Sequence, residues 1–117
     1  MFIRPLLFCF SAIALFAQNT DLAEALEPSR QRINVIDDQI VKLLNERAQV
    51  VREVGLIKKQ FHAPASAPGR EEQVLQRAGG QARAPLKASA VEAIYKVILV
   101  EMSAMEQAEM EKSPKPQ

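Results

Sequence analysis

The chain has 117 residues, 25% of them charged, and a formal net charge of +1. This is the composition of one small globular domain and argues against an intrinsically disordered chain. Because the charge is nearly balanced, no overall attraction for nucleic acid or for an anionic membrane is expected. With one cysteine and one histidine, neither a zinc site nor a disulfide framework is expected.

The first segment, MFIRPLLFCFSAIALFAQ, predicts a cleavable secretory signal. Arg4 precedes an apolar run from Leu6 to Phe16 that is too short to span a bilayer, and a retained anchor is the less favoured alternative. A cleaved signal places the mature chain in the periplasm or the medium without a membrane anchor. Because Cys9 lies in this segment, the mature chain is also expected to have no thiol. We expect the signal in residues 1–25, with cleavage after residue 17 to 25, the domain in 26–112 and a disordered tail in 113–117.

Three helices and no strand are predicted in the mature chain, because its β-branched residues recur at helical spacing without hairpin turns between them. The expected class is therefore all-α. The helices are expected from about Pro28 or Ser29 to about Phe61, from Arg70 to about Ala78 and from Ser89 to about Met110. HAPASAPG and GG are breakers after the first and second helices, and Ser89 with Glu92 matches a capping box.

The first helix is too long for a monomer of this size. About thirty residues at 1.5 Å per residue give a rod of roughly 45 Å, whereas a compact domain of about 95 residues has a diameter of about 30 Å. One short and one medium helix cannot cover its apolar stripe. We therefore expect a second copy to supply the cover, in an intertwined homodimer.

Two cations interrupt that apolar stripe. Arg47 and Lys58 take positions in a row whose other members are Ile33, Ile36, Ile40, Leu44, Val51 and Val54. Eleven steps leave Arg47 and Lys58 only about 20° apart around the axis and about 16.5 Å apart along it, so both can bind one small anion. The alternative is that both bury their stems and extend their charged tips to solvent.

Arg30 lies on another side of the same helix, about 100° around the axis from Arg47. It cannot easily share the pocket of its own chain. In an antiparallel dimer, however, the start of one long helix meets the middle of the other, which would bring Arg30 to the partner's pocket. A solvated charge near the helix start is the alternative.

The pattern R-x-x-I-N-x-I-D-x-x-I-V-x-L-L-N-E-R-A-x-V-V-x-E-V-G-x-x-K (Arg30 to Lys58) closely resembles the first helix of the all-α chorismate mutase family. P-G-R-E-x-x-V-L (Pro68 to Leu75) is similar to the start of that family's second helix, and the resemblance extends over roughly Ser29 to Gln107. It implies a helical homodimer with two equivalent sites that rearrange chorismate to prephenate. That unimolecular reaction needs no metal or cofactor.

The resemblance also implies individual roles. The residues it assigns to substrate binding are Arg30, Arg47, Lys58, Arg70, Glu71, Ser103 and Gln107. Arg30 would act in the partner's site, Arg70 would lie near a substrate carboxylate, and Glu71 would accept a hydrogen bond from the substrate hydroxyl. Lys58 and Gln107 would donate to the ether oxygen, where charge grows in the transition state. The expected catalytic residues are Lys58, Gln107 and Arg47.

Two positions depart from the family pattern. The acidic residue that members often carry three positions before the second-helix arginine is Ala67 here, which leaves the hydroxyl to Glu71 alone. On the third helix, alignment of the apolar run puts Met102 at the serine position, whereas alignment of S-x-x-x-Q selects Ser103 and Gln107. We prefer the second alignment because the polar pair determines it.

Two other functions fit much of the same sequence. Isochorismate-pyruvate lyases share the fold and a similar cationic pocket, and a non-catalytic secreted helical protein could bind an anion with the same cations. The full register from Arg30 to Lys58 and the pair Ser103 and Gln107 favour the mutase. A protein that only binds an anion gives no reason for the spacing of Arg30, Arg47 and Lys58.

Overall fold

The computed structural model describes the backbone of residues 11–112 and the side chains of residues 19–112. Within that range the chain forms three helices and no strand: α1 spans Ser11–Gln60, α2 spans Pro68–Gly79 and α3 spans Ala88–Glu111. The predicted all-α class and the order of one long, one short and one medium helix are confirmed. The expectations for Cys9, for the start of the signal and for the tail at 113–117 fall outside the described residues.

The predicted start of the first helix is wrong, because Pro28 lies inside α1 and not in its first turn. The preceding stretch, SAIALFAQNTDLAEALE, is rich in alanine, leucine and glutamate, which are strong helix formers. The helix continues through the proline at the cost of one backbone hydrogen bond. Cleavage of a signal and a domain boundary near residue 26 stay predictions. Among the described residues, no helix combines the length and the apolar character needed to cross a membrane.

The predicted end of α1 at the HAPASAPG segment is confirmed, and a specific cap accounts for it. His62 has a left-handed backbone with φ of 53°. Its N–H donates to the Lys59 carbonyl at 3.2 Å, and the Ala63 N–H donates to the Lys58 carbonyl at 2.9 Å. These are the two hydrogen bonds of a Schellman motif, with His62 at the position that glycine usually takes. The last turn of α1, which carries Lys58, is therefore closed by backbone hydrogen bonds.

The starts of α2 and α3 differ slightly from the prediction. Pro68 occupies the first turn of α2, where its missing N–H has no intrahelical partner to lose. Lys87 is the N-cap of α3, and no side chain caps this helix. The predicted capping box is therefore wrong: Ser89 is already helical, and Glu92 packs towards Gly79, where a β-carbon would lie 2.6 Å from its Oε1 atom.

The chain divides into two units, residues 1–43 and 44–117. In the first unit every described side chain, from residue 19 to 43, is exposed. The large apolar ones are Leu22, Leu26, Ile33, Val35, Ile36, Ile40, Val41 and Leu43. In the second unit the buried apolar residues are small, Ala65 and Ala78, and no large side chain in the described part of the chain is fully buried.

Within the second unit, the end of α1 and α3 approach closely at Gly55. A β-carbon on this residue would lie 3.0 Å from Cγ of Glu106 and 3.4 Å from Cγ of Met110. Arg52, one turn earlier, pairs with Glu109, with Nε 3.3 Å from Oε2. The absence of a side chain at Gly55 therefore lets α3 bring Glu106 up to the last turns of α1.

Candidate active site

One pocket of about 290 Å³ lies among the end of α1, α2 and α3, wholly within the unit of residues 44–117. Its walls are mostly apolar, with a few charged groups, as is usual for small-molecule sites. It is lined by Arg47, Val50, Val51, Val54, Lys58, Ala65, Ala67, Arg70, Glu71, Val74, Leu99, Met102, Ser103 and Glu106. In the described part of the chain, no three His, Cys, Asp or Glu side chains lie close enough to hold a metal ion.

Three cations face this pocket. Arg47 and Lys58, both half-buried, lie about three turns apart on the same face of α1, and Arg70 lies in the first turn of α2. A guanidinium group can bind a carboxylate through two parallel hydrogen bonds, and an ammonium group adds a compact point charge. The arrangement therefore suits a small ligand with more than one negative group.

Lys58 contacts two groups in this pocket. Its Nζ atom donates a hydrogen bond of 2.7 Å to the carbonyl of Ala65, in the segment between α1 and α2. The same Nζ lies 2.7 Å from Oε1 of Glu106 on α3. Glu106 is only 5% exposed, so this ion pair is largely withdrawn from solvent. The two contacts hold the Lys58 ammonium group at the junction of all three elements.

Comparison with known protein families gives a match over the region that contains these pocket residues. A family model described as chorismate mutase type II matches residues 29–107. The chain belongs to this family. The match has the same bounds, residues 29 and 107, as the segment that resembles the family by sequence pattern alone. The family resemblance and the all-α fold class predicted from sequence are thereby confirmed.

Curated relatives of this family member are longer than the region they share with it. The bifunctional chorismate mutase/prephenate dehydratase of Neisseria gonorrhoeae is 35% identical over 83 residues, which are 71% of this chain and 22% of that protein. The chorismate mutase of Methanocaldococcus jannaschii is 36% identical over 56 residues, which are 48% of this chain and 57% of that protein. The chain thus corresponds to only part of each relative's length.

A solved structure shares the fold. The crystal structure of chorismate mutase from Helicobacter pylori in complex with prephenate matches with a TM-score of 0.70, covering 78% of this chain and 99% of that chain. Sequence identity is 21%, so this likeness bears on the fold of the family member described here and not on individual site residues.

Four further residues of this chorismate mutase family member can be placed from the pocket lining. Glu71 and Ser103, both expected at the site, line the pocket and are half-buried. Ala67, where the family resemblance led us to expect an acid, lines it as well. Both candidates for the serine position, Met102 and Ser103, border the cavity. Lining alone therefore does not choose between the two third-helix alignments.

Two expected site residues do not line the pocket. Gln107 is exposed, and its amide nitrogen donates to Oε1 of Glu111 at 2.7 Å. Arg30 is also exposed and belongs to the unit of residues 1–43, so its predicted action in a partner's site stays a prediction. The structure thus brings together Arg47, Lys58, Arg70, Glu71 and Ser103, but neither Gln107 nor Arg30.

Sequence reasoning missed Glu106. It stands four residues after Met102, so the alternative alignment of the apolar run puts it at the position of the family's glutamine. That spacing was the available signal. Four other glutamates share α3 with it, two exposed and two half-buried, and the close approach at Gly55 distinguishes the buried one.

Proposed function

We propose that this chain catalyses the rearrangement of chorismate to prephenate. The observation that carries the proposal is the convergence of Arg47, Lys58 and Arg70 on one largely apolar pocket in a member of the chorismate mutase type II family. Chorismate is a small dianion, and three cations around an apolar cavity suit such a ligand. The structural neighbour from Helicobacter pylori is described in complex with prephenate, the product proposed here.

The reaction places few chemical demands on the protein. One C–O bond breaks while one C–C bond forms in the same molecule, so no nucleophile and no proton transfer is needed. Arg47 and Arg70 would hold the substrate carboxylates and so keep the flexible molecule in its compact reactive shape, which lowers the entropic part of the barrier. Lys58 would donate to the ether oxygen, where a fixed donor in a dry pocket favours the more polar transition state.

We also propose that the chain acts as a homodimer. Support comes from the apolar side chains of the unit 1–43: Ile33, Ile36 and Ile40 are 54%, 52% and 50% exposed. Soluble proteins rarely leave such a contiguous apolar surface uncovered. A second copy of the same helix is the simplest cover. Arg30, on that helix, would then act in the partner's pocket.

Export to the periplasm or the medium is proposed on the sequence alone. The single early cation, Arg4, and the short apolar run after it support a cleavable signal. After cleavage the chain would have no membrane anchor. Detection of the shortened chain outside the cytoplasm, with its N-terminus sequenced, tests this part of the proposal.

Product identification tests the activity. The purified chain is incubated with chorismate and, separately, with isochorismate, and the products are identified by mass. Prephenate from chorismate supports the mutase. Salicylate with pyruvate from isochorismate, without prephenate from chorismate, identifies a lyase of the same fold. Binding of either compound without conversion identifies a non-catalytic protein.

A further inference from the structure

The last turn of α3 is joined to α1 by an ion pair that lies outside the pocket. Nε of Arg52 lies 3.3 Å from Oε2 of Glu109. Lys112, the residue that follows α3, donates to the other oxygen, Oε1, at 2.5 Å. Both carboxylate oxygens of Glu109 therefore contact a cation. Neither Arg52 nor Glu109 lines the pocket, so the proposed chemistry gives this pair no role.

Glu109 is held in its charged form. The hydrogen bond from Lys112 lowers the pKa of the Glu109 carboxyl group below its ordinary value, and the charge of Arg52 lowers it further. The side chains of Arg52 and Glu109 are 57% and 22% exposed, so water screens part of their attraction. Such a pair adds little to the stability of a fold. What it supplies is a directional link between one position on α1 and one on α3.

The neighbouring contact at Gly55 leaves room for small rotations of α3. Gly55 lies one turn after Arg52, and a β-carbon there would lie 3.4 Å from Cγ of Met110, the residue after Glu109. A glycine selects the face that approaches, but it has no side chain to interlock with the ridges of the facing helix. The contact therefore sets the distance between α1 and α3 more firmly than the rotation of α3 about its axis. The link between Arg52 and Glu109, at the side of this contact, opposes that rotation.

The rotation of α3 matters because this helix forms one wall of the pocket. Leu99, Met102 and Ser103 line the cavity from α3, whereas Arg47 and Arg70, which would hold the substrate carboxylates, belong to α1 and α2. Side chains end about 5–6 Å from a helix axis, so a rotation of about 10° moves such an end by about 1 Å. A misplacement of this size can cost about 10²-fold in rate.

We propose that Glu109 is a positioning residue, whose ion pair with Arg52 sets the rotation of α3 and so holds the α3 wall of the pocket against the substrate. The inference rests on the proposed function. Glu109 does not touch the substrate and acts through Leu99, Met102 and Ser103. Without the pair the cations of α1 and α2 stay in place, so the substrate still binds. The wall then confines its compact reactive shape less well, which lowers kcat more than it changes KM.

Steady-state kinetics of prephenate formation test this role. Glu109→Gln keeps the length of the side chain and removes its charge, so we expect kcat to fall by about tenfold. KM should change by less than about twofold, because the groups that bind the carboxylates are unaltered. The midpoint of denaturant unfolding should stay nearly unchanged. Glu101→Gln, which removes an exposed charge from the same helix, is the matched control and should keep the kcat of the unchanged chain.

Calorimetric titration with prephenate excludes a simpler explanation. It counts the chains that still bind, so kcat can be expressed per binding-competent chain and a misfolded fraction does not imitate the effect. The number of sites per chain and the affinity for prephenate should be nearly the same in Glu109→Gln and in the unchanged chain.

Variants of Arg52 separate the link from any other effect of Glu109. Arg52→Gln should lower kcat as much as Glu109→Gln, and the double variant should be no worse than either, because all three lack the same pair. Arg52→Lys keeps a cation within reach of Glu109 and should retain most of kcat. Lys59→Ala removes only a hydrogen bond to the carbonyl of Lys112 and should retain it too.

Three results would overturn the positioning role and leave the mutase activity intact. They are an unchanged kcat in Glu109→Gln, multiplied losses in the double variant, and a loss that disappears when kcat is expressed per binding-competent chain. The last would show that the pair only stabilises the fold. No prephenate from the unchanged chain contradicts the proposed function itself, and the positioning role with it.

Discussion

Lys58 on α1 and Glu106 on α3 form an ion pair inside the pocket, with Nζ 2.7 Å from Oε1. Their side chains are 22% and 7% exposed, so neither charge is well hydrated. A pair of this kind is costly to break from one side, because the remaining charge stays buried without a partner. The contact joins Lys58, which is expected to donate to the ether oxygen of the substrate, to α3, which forms one wall of the pocket.

The cations of the pocket are expected to be essential for turnover. Lys58→Ala and Arg47→Ala should each lower kcat for prephenate formation by about 10²–10³, because each removes a donor fixed in a dry site. Lys58→Ala should also lower the free energy of unfolding, since Glu106 loses its counter-ion, whereas Arg47 forms no ion pair within the described part of the chain. Lys59→Ala is the control, because this neighbour is exposed and does not line the pocket. Near-normal turnover in Lys58→Ala or Arg47→Ala would remove these residues from the site.

Gln107 offers a test of the third-helix register. If it faced the ether oxygen, Gln107→Glu would repel that oxygen and regain activity as pH falls. Its amide is hydrogen-bonded to Glu111 outside the pocket, so we expect the same pH profile of kcat/KM as in the unchanged chain. Steady-state rates across pH in both proteins measure this. A steeper gain at low pH in Gln107→Glu would return Gln107 to the site.

Gly55 determines how closely α3 approaches α1. Gly55→Val would place its β-carbon about 3.0 Å from Cγ of Glu106 and add two methyl groups, so we expect a loss of about 1–3 kcal/mol in the free energy of unfolding. Displacement of Glu106 should lower turnover as well. In Gly69→Ala the new β-carbon meets no atom within 4 Å, so denaturant unfolding should be nearly unchanged. Equal stability of both variants would show that the contact at Gly55 is not tight.

The cap of α1 predicts a stabilising substitution. His62 has a φ of 53°, a conformation that costs a residue with a β-carbon roughly 1–2 kcal/mol. His62→Gly removes this strain, partly offset by the greater freedom of glycine in the unfolded chain, and should raise the free energy of unfolding by about 0.5–1 kcal/mol. His62→Ala retains the β-carbon and should show no such gain. Thermal unfolding of both variants, followed by helical circular dichroism, compares their stability with that of the unchanged chain. A His62→Gly variant no more stable than His62→Ala would contradict the prediction.

The exposed stripe of the unit 1–43 predicts self-association. Ile36→Asp should lower the dimer fraction measured by sedimentation, because it places a charge in a surface that a second copy would cover. Asp38→Ala is the control, since two residues turn the helix by about 200° and place the change on the opposite side. A monomer in the unchanged chain at all concentrations would contradict the dimer. Equal sedimentation of Ile36→Asp and the unchanged chain would place the interface elsewhere.

Helix class and order followed from local features of the chain. Apolar residues at helical spacing, the breaker HAPASAPG and the glycine pair after the second helix act over a few residues, so periodicity and turn chemistry predict them. The start of α1 could not be predicted in this way. Pro28 fits the first turn of a helix, and it can also be carried inside a helix whose other residues are strong helix formers. Local preferences alone therefore do not choose between these two positions.

The sequence by itself determined that Arg47 and Lys58 share one face, because the turn of an α-helix is the same in every protein. Only the tertiary structure decided which α3 residues meet them. Adjacent positions such as Glu106 and Gln107 differ by 100° around the helix axis, and the rotation of α3 depends on its packing against the bare backbone at Gly55. Glu106 is therefore turned to Lys58, and Gln107 to solvent, for a reason that lies in another helix.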